Sequence, residues 1–193
     1  MDVNLRQFPS GYWKYLLVIA VFGLGNSSNS FLILRTQDIG VRLETTILMY
    51  ALFNLAAALI SYPAGSLSDK LGRRNVLLTS FIIFMFTYLG FAQAKNVLIF
   101  GALFMFYGLY QGIFRAVGKA FASDFVSQNL RASGVGWYSS TVGLLELVAS
   151  VVAGLLWDRV GHVAVFYYGA VSAFVGSIGL IVLIPKQDHH RAA

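Results

Sequence analysis

Gly65-Ser66-Leu67-Ser68-Asp69-Lys70-Leu71-Gly72-Arg73-Arg74 lies between two long apolar runs. Packing alone does not require such a mixture of charge and glycine. A tight turn takes glycine where the backbone must bend or come close to another helix. Arg73 and Arg74 suit a loop held on the cytoplasmic face of a membrane. Asp69 stands where a helix N-terminus or an arginine could hold it. The stretch reads as a loop joining two membrane helices.

The rest of the chain agrees. Of its 193 residues, 58% are hydrophobic and 11% charged, where a soluble domain carries roughly 25% charged residues. Mean hydropathy is +0.71. A bilayer span needs about 20 mostly apolar residues. Six segments qualify, at 12–34, 44–67, 75–94, 97–122, 133–156 and 162–185. Residues 1–10 read as a cytoplasmic tail or linker, 11–185 as the bundle and 186–193 as a second cytoplasmic tail. The first apolar run is too long for a signal-peptide core and lacks a small-residue cleavage site.

Lysine and arginine set the orientation. Arg6, Lys14, Lys70, Arg73, Arg74, Lys119, Arg131, Lys186 and Arg191 fall on one side of a six-span chain. Arg35, Arg42, Lys95 and Arg159 fall on the other. Both termini are therefore expected in the cytoplasm. The net charge of +6 reflects this scatter over short loops and does not suggest nucleic-acid binding.

The chain repeats itself. Ala64 to Gly72 and Ala153 to Gly161 both read A-G-x-L-x-D-[K/R]-x-G, offset by 89 positions. Three spans separate the copies, so Gly154, Asp158, Arg159 and Gly161 are expected on the outer face. Helix capping alone could also make A-G and D-R-x-G recur.

The string G-x-L-S-D-K-L-G-R-R resembles the loop signature of the major facilitator superfamily of secondary transporters. Phe22 to Leu32 resembles the seventh helix of bacterial members. Gly112 to Val126, with Asn129 to Gly134, resembles the tenth helix and the loop after it. Ala153 to Gly161 resembles the end of the eleventh. The resemblance covers nearly the whole chain and points to the C-terminal six-helix half. It implies an all-α membrane bundle of two inverted three-helix repeats. It also implies alternating-access transport of a small solute, coupled to protons, in a bacterial inner membrane among lipid. The implied partner is a second six-helix half, either another copy or a separate N-terminal half. Gly65, Asp69, Gly72, Arg73 and Arg74 would form the cytoplasmic gate. Asp124, Arg131, Arg73 and Arg74 are the partners open to Asp69.

Charges at membrane depth are costly and tend to face a cavity or a partner. Tyr107, Gln111, Arg115 and Lys119 recur every four residues on the fourth span, and Ser139, Gly143, Glu146 and Ser150 make a similar stripe on the fifth. Two readings stand side by side. Arg115 could attract an anionic group while Glu146 takes up a proton, or the two could pair and lock their helices. Asn26, Asn29 and Asn54 could line the path or bond helix to helix. Gly101, Gly108 and Gly112 suggest close helix packing, and Pro63 suggests a bend in the second span.

Enzyme signatures are absent from the sequence. Cysteine is missing, which excludes thiolate metal sites and cysteine nucleophiles. His162 falls at a loop and His189-His190 in the tail. No phosphate loop or metal-ligand spacing occurs, so no metal or cofactor is expected. A non-transporting half or accessory membrane subunit, and a self-assembled channel, are the rival functions.

Overall fold

A computed structural model describes residues 7–185. Arg6, Lys186, Arg191, the His189-His190 pair and most of the two expected tails lie outside the described residues. The elements are α1 (Ser10–Gly23), α2 (Ser30–Asp38), α3 (Leu43–Leu71), α4 (Arg73–Gln93), α5 (Val97–Asp124), α6 (Arg131–Arg159) and α7 (His162–Leu183), with a short turn of helix at Gln128–Leu130. There is no strand among the described residues. Five helices, α3 to α7, are long and apolar enough to cross a membrane.

The first expected span is in two pieces, α1 and α2, separated by Leu24 to Asn29. The reason is local in part. Serine and asparagine side chains offer backbone groups an alternative to the helical ladder. The Ser30 N–H donates to Ser28 Oγ at 3.3 Å. The Ser28 N–H donates to Ser150 Oγ of α6 at 3.0 Å. Leu24, Gly25 and Asn26 donate to main-chain carbonyls, whereas the Ser28 and Ser30 donors are met by side chains, one of them from another helix.

The stretch expected as a ten-residue loop is mostly helix. α3 continues to Leu71 and α4 begins at Arg73, so only Gly72 turns the chain. Its φ of 87° is a conformation that L side chains rarely adopt. Gly161, with φ 118°, makes the equivalent turn between α6 and α7. α3 and α6 have 29 residues each. The repeat read in the sequence therefore reappears as two long helices of equal length, each followed by a turn at a positive-φ glycine.

The core is aromatic. Phe22, Phe81, Phe84, Phe91, Phe100 and Phe104 are wholly or almost wholly buried, as are Tyr88, Tyr107 and Tyr110. Phe22 stacks on Phe81, and Phe84 on Tyr88, each at 4.0 Å between ring centroids. The first joins α1 to α4, Phe84 meets Tyr110 of α5 at 4.8 Å, and Phe166 brings in α7 against Tyr88. Phe8, expected in the N-terminal tail, is buried instead and stacks on Tyr12 at 5.0 Å.

α3 lies against α5 at two glycines. A methyl on Gly108 would strike the Phe53 carbonyl, and one on Gly112 the Ala57 carbonyl. Gly101 has open space around it, so the expectation of close packing fails there. α3 and α6 are the least covered helices: 22% and 11% of their most apolar stretches are buried, against 44–50% in α4, α5 and α7.

Candidate functional site

Three groups of polar residues stand out, one at each end of the bundle and one between. At the end carrying the motif, Arg73 is the hub. Its Nη1 donates to the Ala120 carbonyl at 2.6 Å and to Asp124 Oδ1 at 2.8 Å. Its Nη2 donates to Asp69 Oδ1 at 3.2 Å. One guanidinium therefore ties the start of α4 to the ends of α3 and α5. Arg74 reaches the other way, donating to the carbonyls of Leu180 at 3.2 Å and Ile181 at 2.8 Å. Cations suit these positions, because a helix C-terminus presents unpaired carbonyls and negative partial charge. Of the partners open to Asp69, Arg73 is the one in contact; Arg74 is engaged with α7.

The opposite end repeats the arrangement with different residues. His162 opens α7 as Arg73 opens α4. Its Nδ1 lies 3.3 Å from Asp38 Oδ2, at the end of α2. Asp158 and Arg159 are exposed there and make no ion pair among the described residues. Nearby, Arg35 is only 5% exposed. It donates to the Phe91 carbonyl at 3.1 Å and the Ala94 carbonyl at 3.3 Å, closing the end of α4. Sequence reading missed Arg35 and the His162–Asp38 pair. The available signal was position: His162 follows Arg73 by the repeat offset of 89.

Between the ends, the break in the first span meets α5 and α6. The Tyr107 hydroxyl donates to Asn29 Oδ1 at 2.8 Å. Ser150 Oγ serves the break and donates to the Glu146 carbonyl at 2.6 Å. Asn26, Asn29 and Gln111 are half-buried, while Asn54, Arg115 and Glu146 are exposed. Asn54 Nδ2 donates to the Tyr50 carbonyl on its own helix at 2.8 Å.

Arg115 and Glu146 do not pair; neither makes an ion pair among the described residues. Their depths differ. Arg115 precedes Asp124 by nine residues, about 13 Å at the helical rise. Glu146 follows Arg131 by fifteen, about 22 Å. The helices run antiparallel, so about 9 Å along the axis separates the two groups. The locking pair, one of the two readings, is not made; two separate charges stand on helices that are otherwise largely apolar. Among the described residues no His, Cys, Asp or Glu group is arranged to hold a metal ion.

A bundle of apolar helices with charged and amide side chains at mid-depth defines a multi-pass membrane protein with a polar face. The family model described as Major Facilitator Superfamily matches residues 15–193, and the chain belongs to that superfamily. It is 34% identical to an MFS-type transporter of Methanocaldococcus jannaschii, over 94% of this chain and 47% of that relative. It is 23% identical to citrate exporter 1 of Aspergillus niger, over 78% of this chain and 29% of the relative. It is 24% identical to the quinolone resistance protein NorA of Staphylococcus aureus, over 79% and 39%. The chain spans about half the length of the curated relatives it matches, or less. Membership places the chain in a superfamily of membrane transport proteins.

Proposed function

We propose that these residues form one six-helix half of a secondary carrier, which moves a small solute by alternating access and couples the movement to protons. The observation that carries this reading is Glu146 with Arg115: two unpaired charges at different depths on the exposed sides of apolar helices. Charge in such a place is stable only beside water or a partner. Asn26, Asn29, Asn54, Gln111, Arg115 and Glu146 line the path in this reading, and Glu146 carries the proton.

A second six-helix half covers the open side, either as another copy or as an N-terminal half. The poor cover of α3 and α6 supports this. So do Gly65 on α3 and Gly136, Gly143 and Gly154 on α6, where an added methyl would meet nothing within this chain. Small residues let membrane helices approach closely, and here the approaching helix would belong to the other half. Gly65, Asp69, Gly72, Arg73 and Arg74 act as the gate on the cytoplasmic side, with both termini on that side of the plasma membrane. Gly154, Asp158, Arg159 and Gly161 stand at the outer face.

The chain has no cysteine, so single cysteines report access directly. Cysteines placed at Gln111 and Asn54 should react with a membrane-impermeant thiol reagent from both sides of the membrane. Asp69→Asn should leave the protein in the membrane and shift that balance toward one side, with slower transport. A pattern fixed to one side, unmoved by Asp69→Asn, would sink the alternating-access reading.

A further inference from the structure

We infer that the solute is an oxyanion, carrying a carboxylate or phosphate group, and that Arg115 and Lys119 receive it on α5; this rests on the carrier reading above. The argument begins with the direction in which Arg115 points. It lies three residues after Gly112 and three before Gly118, so each glycine is about 60° away around the helix. Gly112 faces α3 at Ala57, and Gly118 faces α6 at the Tyr138 ring. Val117, fully buried, is about 160° away from Arg115. Arg115 therefore leaves α5 through the gap between α3 and α6, on the side away from the core. Lys119 follows one turn later, and Gln111 precedes by one turn, so the three form a ladder along the gap.

Both cations are exposed and make no ion pair or side-chain hydrogen bond among the described residues. The nearby carboxylates are committed elsewhere or out of reach. Asp69 and Asp124 are held by Arg73. Glu146 is offset by about 9 Å along the axis. Arg115 at depth with no fixed counterion, and Lys119 one turn nearer the end of α5, favour a mobile one. A guanidinium forks onto two oxygens of a carboxylate or phosphate, and Lys119 adds a second charge one turn along. The ladder runs from Gln111, near the depth of Glu146, toward the end that holds Arg73. An oxyanion released near Glu146 would find a site one step nearer that end.

The test uses the protein isolated from its own membrane with whatever half accompanies it, reconstituted into liposomes under an imposed pH gradient. The probes are citrate, inorganic phosphate and tetraphenylphosphonium. Saturable uptake of citrate or phosphate is expected, and which of them moves tells carboxylate from phosphate. Arg115→Gln should raise KM for that anion roughly ten- to a hundred-fold, Lys119→Gln less, and Arg115→Lys should fall between wild type and Arg115→Gln. Unfolding midpoints of the three variants separate loss of the site from loss of the fold. If Arg115→Gln does not fold, the Arg115→Lys and Lys119→Gln values carry the test. Anion uptake indifferent to Arg115→Gln and Lys119→Gln overturns the assignment. So does movement of tetraphenylphosphonium alone, which leaves the carrier reading standing. Movement of none of the three removes both.

Discussion

The four glycines of the two matching stretches should separate into two pairs when each is replaced by alanine. Gly72 has φ 87° and ψ 130°, and Gly161 has φ 118° and ψ 164°. An L residue held in such a conformation costs about 1–3 kcal/mol. Gly65 and Gly154 are helical and have open space where a Cβ would go. Alanine there should stabilise the helix by roughly 0.5–1 kcal/mol. Gly72→Ala and Gly161→Ala should thus lie about 1.5–4 kcal/mol below Gly65→Ala and Gly154→Ala. The assay is unfolding by sodium dodecyl sulfate in mixed micelles, followed by far-ultraviolet circular dichroism. The first pair should unfold at lower detergent fraction than wild type, the second at the same or higher. A shared midpoint for all four would refute the reasoning from backbone conformation. A loss at Gly65 equal to that at Gly72 would show that the position is packed within this chain. The same variants test the open side. If a second half packs on α3 and α6, Gly65→Ala and Gly154→Ala should weaken assembly while the isolated chain stays stable.

Arg73→Lys keeps the charge but not the fork across Asp69, Asp124 and the Ala120 carbonyl; with these groups partly exposed, the loss should be about 1–2 kcal/mol. An unchanged unfolding midpoint would remove Arg73 as the hub of that end. Tyr107→Phe deletes the bond to Asn29 and should cost about 1 kcal/mol; faster hydrogen exchange is expected at Ser30 to Leu32, and unchanged exchange would count against the bond. His162→Arg substitutes a fixed charge opposite Asp38. It should raise the unfolding midpoint slightly, by roughly 0.5 kcal/mol, and lower turnover if that end must open. A rise in turnover would refute the tie.

Much of this was written in local residue types. Long apolar runs and the offset copies led directly to helices, order and repeat, because length and period need no tertiary context. The depth of the motif was harder to read. Charge and glycine at 65–74 look like a loop, yet a helix continues through Ser66, Ser68 and Asp69 because only Gly72 has to turn. The first span looked continuous because its apolar average hides Asn26 to Asn29; whether such a run stays helical depends on acceptors such as Ser150, on a helix more than a hundred residues away. The Arg115–Glu146 pairing failed for a similar reason. Spacing along each helix puts a residue on a face, but the axial stagger of two antiparallel helices is fixed by packing, here at Gly118 against Tyr138. Arg35 was invisible because its acceptors are main-chain carbonyls, which every sequence supplies.

The two ends of the bundle then acquire a relation that neither has alone. α4 and α7 each begin one residue after a glycine turn, and in each the first side chain reaches a carboxylate at the end of a neighbouring helix: Arg73 to Asp124, His162 to Asp38. The repeat inverts the units, so the ties close opposite ends of the same bundle. They are not equal. Arg73 is a permanent cation with three acceptors around it, whereas His162 has one carboxylate and is charged only when protonated. Arg73 thus binds its end through three acceptors, and His162 its end through one. In the carrier reading proposed above, the two ends are unequal before any solute binds, and the end with fewer contacts is the one expected to open more readily.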